Sequence, residues 1–116
     1  MIIIGHRGAS GNFPENTLAA FRAAAELGCA WVELDVHVLE GELVVIHDEQ
    51  LNRTTNGNGH LTTAGLAGVR ALDAGNGEQV PLLSEVLATL NGNVAINVEL
   101  KGSGTAEPTS QLLLAA

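Results

Sequence analysis

The sequence predicts an α/β fold built on a parallel β-sheet, and three features indicate it. Short apolar runs rich in β-branched residues alternate with helical segments along the chain, and this alternation implies right-handed crossovers between parallel strands. Residues 31–39 alternate between apolar and polar side chains with a period of two, which is the pattern of a β-strand. The chain has 116 residues, 46% of them hydrophobic, so it has the size of one domain with its own core.

The first elements are a strand and a helix. Met1 to Gly5 is a short β-branched run, which predicts a buried strand. After a loop, a helix is expected over about Thr17 to Leu27. Asn16 or Thr17 is suited to cap its start, and Gly28 is suited to end it.

A β-hairpin follows the first helix. Its strands are expected at 31–39 and 42–47, with Gly41 in the turn. A two-residue loop would place His47 on the apolar face of the hairpin. A three-residue loop, with Gly41 left-handed, would instead place His47 beside Glu33 and Asp35. We expect the three-residue loop, because only this register separates an apolar face from a polar one.

The second half of the chain begins with an excursion. Residues 48–77 are rich in turn formers and only weakly periodic, as expected of a long functional loop inserted into the single domain 1–116. The pattern then predicts a helix at 83–90, a strand at 93–101, a loop at 102–108 and the opening of a helix at 109–116.

Composition narrows the class of partner and the compartment. A net charge of −8 argues against binding to nucleic acid or to an anionic membrane surface. Cys29 is the only cysteine, and we expect it to be buried and unreactive. No basic stretch precedes the short apolar run at the amino terminus, so neither a signal peptide nor a membrane anchor is expected. These features predict a cytoplasmic setting.

Charged residues cluster where the predicted strands end. The carboxyl ends of parallel strands lie at one edge of the sheet, where α/β proteins bind their ligands. That edge would gather His6, Arg7, Glu33, Asp35, Glu99 and Lys101.

Three of these residues predict a metal site. Glu33, Asp35 and Glu99 raise one another's pKa when close together unless a positive charge lies among them. An all-oxygen set suits a hard divalent cation, Ca²⁺ or Mg²⁺. The alternative is that the acids form structural salt bridges with Arg7 and Lys101.

The other residues suit acid–base and phosphate chemistry. His6 and His47 are candidates for general acid and base, while Arg7 and Lys101 can contact a phosphate. His37 is interpreted as structural, and Glu15 as an acid that favours a helix dipole. A cation, two imidazoles and two positive side chains together predict phosphoryl transfer.

Six sequence blocks, in this order, resemble the glycerophosphodiester phosphodiesterase family: His6-Arg7-Gly8, Pro14-Glu15-Asn16-Thr17, Glu33-Leu34-Asp35, His47-Asp48, Arg53-Thr54-Thr55-Asn56-Gly57 and Glu99-Leu100-Lys101. The resemblance implies a TIM (β/α)₈ barrel that uses a divalent cation to hydrolyse small glycerophosphodiesters to an alcohol and glycerol 3-phosphate. It implies the same metal ligands, acid–base histidines and phosphate contacts as above. It adds Glu15 as a supporting acid near the metal.

The chain departs from that family in its length. Only about three parallel strands plus a hairpin arm are counted, where a closed barrel needs eight strands. The sequence therefore predicts the amino-terminal half of a barrel, which we expect to be an oligomer or an unstable fragment, with little activity alone. Two alternatives are a phospholipase-like relative such as sphingomyelinase D, and a non-catalytic half-barrel that binds metal or phosphate. The acidic charge and the lack of an amphipathic anchor argue against work on membranes.

Overall fold

The structure is a computed structural model that describes residues 4–102 and 104–115. In chain order its elements are β1 (Ile4–His6), α1 (Leu18–Glu26), β2 (Trp31–Leu39), β3 (Glu42–Val45), α2 (Leu61–Arg70), α3 (Leu83–Leu90), β4 (Ala95–Leu100) and α4 (Ala106–Ala115). Among the described residues no helix is long and apolar enough to cross a bilayer.

The sheet is organised around β2. Strands β1 and β4 pair with β2 in parallel, on opposite edges of it, and β3 pairs antiparallel with its carboxyl-terminal half. Because Val36 of β2 pairs with both Leu100 of β4 and Val45 of β3, β3 lies on the same edge as β1. Three parallel strands and a hairpin arm are the predicted incomplete barrel.

One face of the sheet forms the main core. Its apolar residues pack against α1 and α3 because both helices present a buried stripe to the strands. The buried members are Phe21, Ala24, Cys29, Val32, Leu34, Val36, Leu43, Val45, Leu83, Val86, Leu90 and Val94. The helices that form this stripe agree with the sequence prediction: Thr17 caps α1 by accepting from the Ala20 amide, and α3 has the predicted bounds.

The hairpin register differs from the prediction. Leu39 pairs with Glu42, so the loop has two residues, Glu40 and Gly41. Both have positive φ, 50° and 80°, as a type I′ turn requires. The three-residue loop was therefore wrong. The argument for it assumed that one face of the hairpin is polar throughout, but towards the tip of the hairpin both faces are buried.

A second core covers that other face. The excursion folds over the hairpin and buries Leu39, Val44, Ile46, Leu51, Leu61, Val69, Ala74 and Val80. It contains α2, interrupted at Gly65 with φ 74°, where the sequence predicted a loop. The interruption explains the weak periodicity, because a helix broken after one turn does not keep a continuous apolar stripe.

The remaining boundaries shift by a few residues. The predicted strand 93–101 forms over Ala95–Leu100. The last helix begins at Ala106 rather than 109, since Pro108 lies in the first turn, where a missing amide hydrogen costs no helical bond. Of the predicted first strand, Ile4 and Gly5 are confirmed as β1, and Met1–Ile3 lie outside the described residues.

Candidate active site at the carboxyl ends of the strands

The acidic residues share the sheet face opposite the main core. Asp35 of β2 lies directly across from Glu99 of β4, and Glu33 lies across from His6 of β1. Paired residues on neighbouring strands point to the same face. The carboxylates of Glu33, Asp35 and Glu99 each offer an oxygen within 4.8 Å of the others. The sequence-predicted convergence of three acids is therefore present.

Two of the acids keep a buried oxygen without a partner. Neither Glu33 Oε1 nor Asp35 Oδ1 accepts a hydrogen bond within the described chain. A buried unsatisfied acceptor typically costs about 1–3 kcal/mol, so both oxygens are available to a cation or a water molecule. Oxygen donors of this kind fit a hard divalent cation.

The carboxylates differ in how easily they lose a proton. Burial, and then the nearby charge of Asp35, raises the pKa of Glu33. The hydrogen bond from Lys101 lowers the pKa of Glu99. Without a cation, Glu33 is therefore the carboxylate whose pKa is raised, as expected when like charges share a site.

Positive side chains touch the acids. Lys101 Nζ lies 2.9 Å from Glu99 Oε1, and Arg7 Nε lies 3.5 Å from Asp35 Oδ2. The salt bridges considered as an alternative from the sequence are thus present, but they leave the two buried oxygens unsatisfied. Lys101 also follows directly after β4, where its amide donates to the Val36 carbonyl.

A tight turn at the end of β1 positions this edge. Arg7 has φ 55° and Gly8 φ 81°, so the chain turns sharply as β1 ends. A Cβ on Gly8 would lie 2.7 Å from the carbonyl carbon of Ala20 in α1. Gly8 is therefore required both by its left-handed backbone and by close contact with the helix.

The two candidate histidines contact different acids. His6 Nε2 lies 3.8 Å from Glu33 Oε1, and its side chain is 64% exposed. His47 follows β3 and directs Nδ1 to Asp48 Oδ1 at 2.7 Å. The chain leaves the strand after Val45, so the observed register does not hold His47 on the apolar face.

Glu15 lies beside the acids but is held by arginines. Both of its oxygens accept from Arg7 and from Arg53. Burial raises the pKa of Glu15, yet the hydrogen bonds and charges of Arg53 and Arg7 outweigh that effect and lower it. Glu15 is not among the three described acids whose oxygens converge.

Sequence reasoning gave three residues no role in the site, although Asn16 was a candidate cap for α1. Asn16, with φ 56°, is buried and donates from Nδ2 to Asp35 Oδ2 at 3.1 Å. Asp48 and Arg53 hold each other and His47. All three lie in the motif blocks, which was the available signal. His37, interpreted as structural, is buried and donates from Nε2 to the His47 carbonyl.

Comparison with known proteins agrees with this geometry. Residues 6–112 match the model of the glycerophosphoryl diester phosphodiesterase family. A glycerophosphodiester phosphodiesterase of Caldanaerobacter subterraneus is 45% identical over 109 residues, covering 86% of this chain and 45% of that protein. The chain spans about half the length of the curated relatives it matches.

Solved structures extend the likeness to the fold. An Oleispira antarctica phosphodiesterase, solved in complex with the product sn-glycerol-3-phosphate, is 36% identical with a TM-score of 0.91, over 98% of this chain and 52% of that one. A glycerophosphodiester phosphodiesterase from Agrobacterium tumefaciens is 38% identical with a TM-score of 0.89, over 98% and 53%. These neighbours are TIM barrels, and this chain forms part of such a barrel. The chain belongs to the glycerophosphoryl diester phosphodiesterase family.

Proposed function

We propose that this chain supplies the amino-terminal half of a metal-dependent active site that hydrolyses glycerophosphodiesters to an alcohol and glycerol 3-phosphate. The observation that carries the proposal is the cluster of Glu33, Asp35 and Glu99, with two buried oxygens lacking partners. Membership of the family, and the glycerol phosphate product bound by the Oleispira antarctica relative, support the substrate class.

The three carboxylates would hold the cation, and the donor set fits Ca²⁺ or Mg²⁺. A divalent cation, when bound, supplies positive charge to a phosphoryl oxygen. In its absence, Lys101 and Arg7 neutralise part of the acidic charge. Both side chains can turn to the phosphate of a substrate, Arg7 with its planar fork and Lys101 as a point charge.

Proton transfer is assigned to the two histidines. The contact of His47 Nδ1 with Asp48 favours the tautomer with its hydrogen on Nδ1. Nε2 then has a lone pair that accepts a proton from the attacking hydroxyl or water. His6, exposed beside Glu33, gives a proton to the leaving alcohol oxygen. Glu15 supports the site through Arg7 rather than as a ligand.

The rest of the barrel is also part of the proposal. We assign residues 1–116 to one barrel domain, with the excursion of about 48–77 inserted in it. Ile4 and Leu100 on the two edge strands are exposed, as is Trp31 between them. These surfaces would be covered by the remaining strands in a longer chain, and by self-association in the 116-residue chain. Light scattering tests this: an oligomer is expected, and a stable monomer contradicts it. A reducing compartment such as the cytoplasm suits the free, buried Cys29.

The activity is tested by release of glycerol 3-phosphate from glycerophosphocholine, with and without EDTA. The chain is assayed alone and as a chimera in which residues 6–112 replace the matching half of the Caldanaerobacter relative. We expect little turnover from the chain alone and EDTA-sensitive turnover from the chimera. A folded chimera without turnover contradicts the proposal.

Binding to the chain itself gives an independent test. Glycerol 3-phosphate is titrated in the presence of Ca²⁺ while amide resonances are followed by NMR. We expect shifts confined to the carboxyl ends of β1, β2 and β4. The H6Q chain should show the same shifts as the wild type. If the cation is required for phosphate binding, the D35N chain should show none. Shifts of amides elsewhere in the chain contradict the assignment.

A further inference from the structure

Arg53 joins two acids that belong to different parts of the chain. Its Nε and one terminal nitrogen donate to Asp48 at 2.8 and 3.0 Å. Its two terminal nitrogens donate to Glu15 at 2.8 and 3.0 Å. The guanidinium therefore makes a bidentate contact with each acid, so the excursion is tied to the loop that precedes α1.

These contacts leave Arg53 unsuited to bind substrate. Four N–H···O bonds already engage all three of its nitrogens, out of five hydrogens in total. Its contacts hold the pKa of Asp48 well below its usual range, first through the hydrogen bond from Arg53 and then through that from His47. The side chain is half exposed, but its donors face acids of this chain.

Asp48 transmits this arrangement to the histidine. Its Oδ1 accepts both from Arg53 and from His47 Nδ1, the latter at 2.7 Å. Because both its oxygens are engaged by a planar fork, the carboxylate cannot rotate without losing bonds. A carboxylate fixed in this way holds an imidazole in one orientation and one tautomer, leaving Nε2 without a hydrogen.

Arg53 is also linked to Asp35, through Glu15 and Arg7. Glu15, held by Arg53, also accepts from Arg7 at 3.1 Å, and Arg7 lies 3.5 Å from Asp35. One arginine thus connects the histidine side of the site with the carboxylate side through a continuous series of ion pairs.

We propose that Arg53 is a positioning residue: through Asp48 it fixes the orientation and tautomer of His47, and through Glu15 it holds Arg7 against Asp35. The role of Arg53 in turnover rests on the proposed function. The tautomer of His47 is independent of that function, because it is measured on the chain without substrate or metal.

The experiment records side-chain ¹⁵N resonances of the histidines at about pH 8.5, well above the ordinary histidine range. His47 is assigned by comparison with H47Q. In the wild-type chain we expect His47 to carry its hydrogen on Nδ1. The R53M variant, which keeps an unbranched side chain but removes the guanidinium, is expected to show a mixture of tautomers. R53K is expected to recover part of the wild-type signal, because it keeps the charge but not the bidentate geometry.

R70M is the matched control. Arg70 also makes a bidentate pair, with Glu85 at 2.7 and 2.8 Å, but contacts neither His47 nor Asp48 among the described residues. Its removal should leave the His47 tautomer unchanged. A wild-type His47 protonated on Nε2 overturns the proposal even if R53M does not fold, and so does an unchanged Nδ1 tautomer in folded R53M.

Kinetics of the chimera separate positioning from substrate binding. R53M is expected to lower kcat by about tenfold or more, part of the ~10²–10⁴ that a general base supplies, with KM changed less than about twofold. A raised KM with an unchanged tautomer would instead make Arg53 a substrate contact and overturn the proposal. If the wild-type chimera is inactive but the tautomers are as expected, the proposed function is contradicted and the positioning role of Arg53 is not.

Discussion

Two groups of carboxylates lie at the same edge of the sheet and differ in how fully they are bonded. Every oxygen of Glu15 and Asp48 accepts at least one hydrogen bond, mostly from Arg53. Glu33 and Asp35 each keep a buried oxygen with no partner. The pKa is lowered for the arginine-held acids and raised for Glu33. Among the strand acids, Glu99 also has a lowered pKa, because it accepts a hydrogen bond from Lys101. Bonding, not residue type, separates acids that hold the protein together from acids left to hold a ligand.

The largest effect is expected from removing a ligand acid. D35N keeps the size of the side chain but weakens its oxygen as a cation ligand, so Ca²⁺ affinity should fall more than about 100-fold. Residues that merely orient ligands already cost about 10–100-fold. Calorimetric titration measures the affinity, with the exposed-surface variant E107Q as control. If D35N binds Ca²⁺ as tightly as E107Q does, Asp35 is not a cation ligand and the two groups of carboxylates do not differ in this way.

Removing an arginine-held acid should instead affect folding. E15Q leaves Arg7 and Arg53 without a charged acceptor and should lower the free energy of unfolding by about 1–2 kcal/mol at pH 7. The folded pKa of Glu15 lies below its ordinary 4.5, so this stability is present above 4.5 and lost as the pH falls through the folded pKa. Urea unfolding at several pH values measures it. A loss that persists at the acidic end, or a large fall in Ca²⁺ affinity, would contradict the assignment.

The opposite sign is expected at Glu33. Its raised pKa means that the folded state binds its proton more tightly, so its contribution to stability is present below 4.5 and lost as the pH rises through the folded pKa. E33Q should therefore stabilise the metal-free chain at neutral pH by about 1 kcal/mol, as substitutions at functional sites often do. Saturating Ca²⁺ should reverse the order of the two proteins, because only the wild type gains from binding. Equal urea midpoints for E33Q and the wild type at pH 7 without metal would contradict the repulsion proposed among the carboxylates.

The smallest effect is expected for an ion pair outside the site. The hydrogen bond from Arg70 lowers the pKa of Glu85, but the pair is partly exposed. E85Q should cost less than about 1 kcal/mol at pH 7, and less at high salt. The loss should vanish as the pH falls through the folded pKa. A larger loss of unfolding free energy that does not depend on salt would contradict the expectation that this pair contributes little.

The sequence predicts the strands and helices better than the contacts between distant parts of the chain. α1 and α3 follow from local caps and periodicity, and β2 from its alternation. The hairpin register does not, because it depends on the excursion that buries His37 and Val44 on the face taken to be polar. Burial by a segment tens of residues away leaves no local pattern.

The candidate site shows the same limit. Parallel strands bring Asp35 and Glu99 together by register alone, so their convergence could be predicted. The partners of Glu15 could not be predicted, since its two arginines come from the end of β1 and from the excursion, 8 and 38 residues away. Whether an acid is already satisfied depends on such distant partners.

The most direct test is a crystal structure of the chain soaked in Ca²⁺, with anomalous scattering used to locate the ion. A single ion bound by oxygens of Glu33, Asp35 and Glu99 at about 2.3–2.6 Å is the expected result. Its Glu15 and Asp48 should remain bonded to Arg53. An ion held by Glu15 or Asp48, or no ion among the three strand acids, would contradict the division on which the account rests.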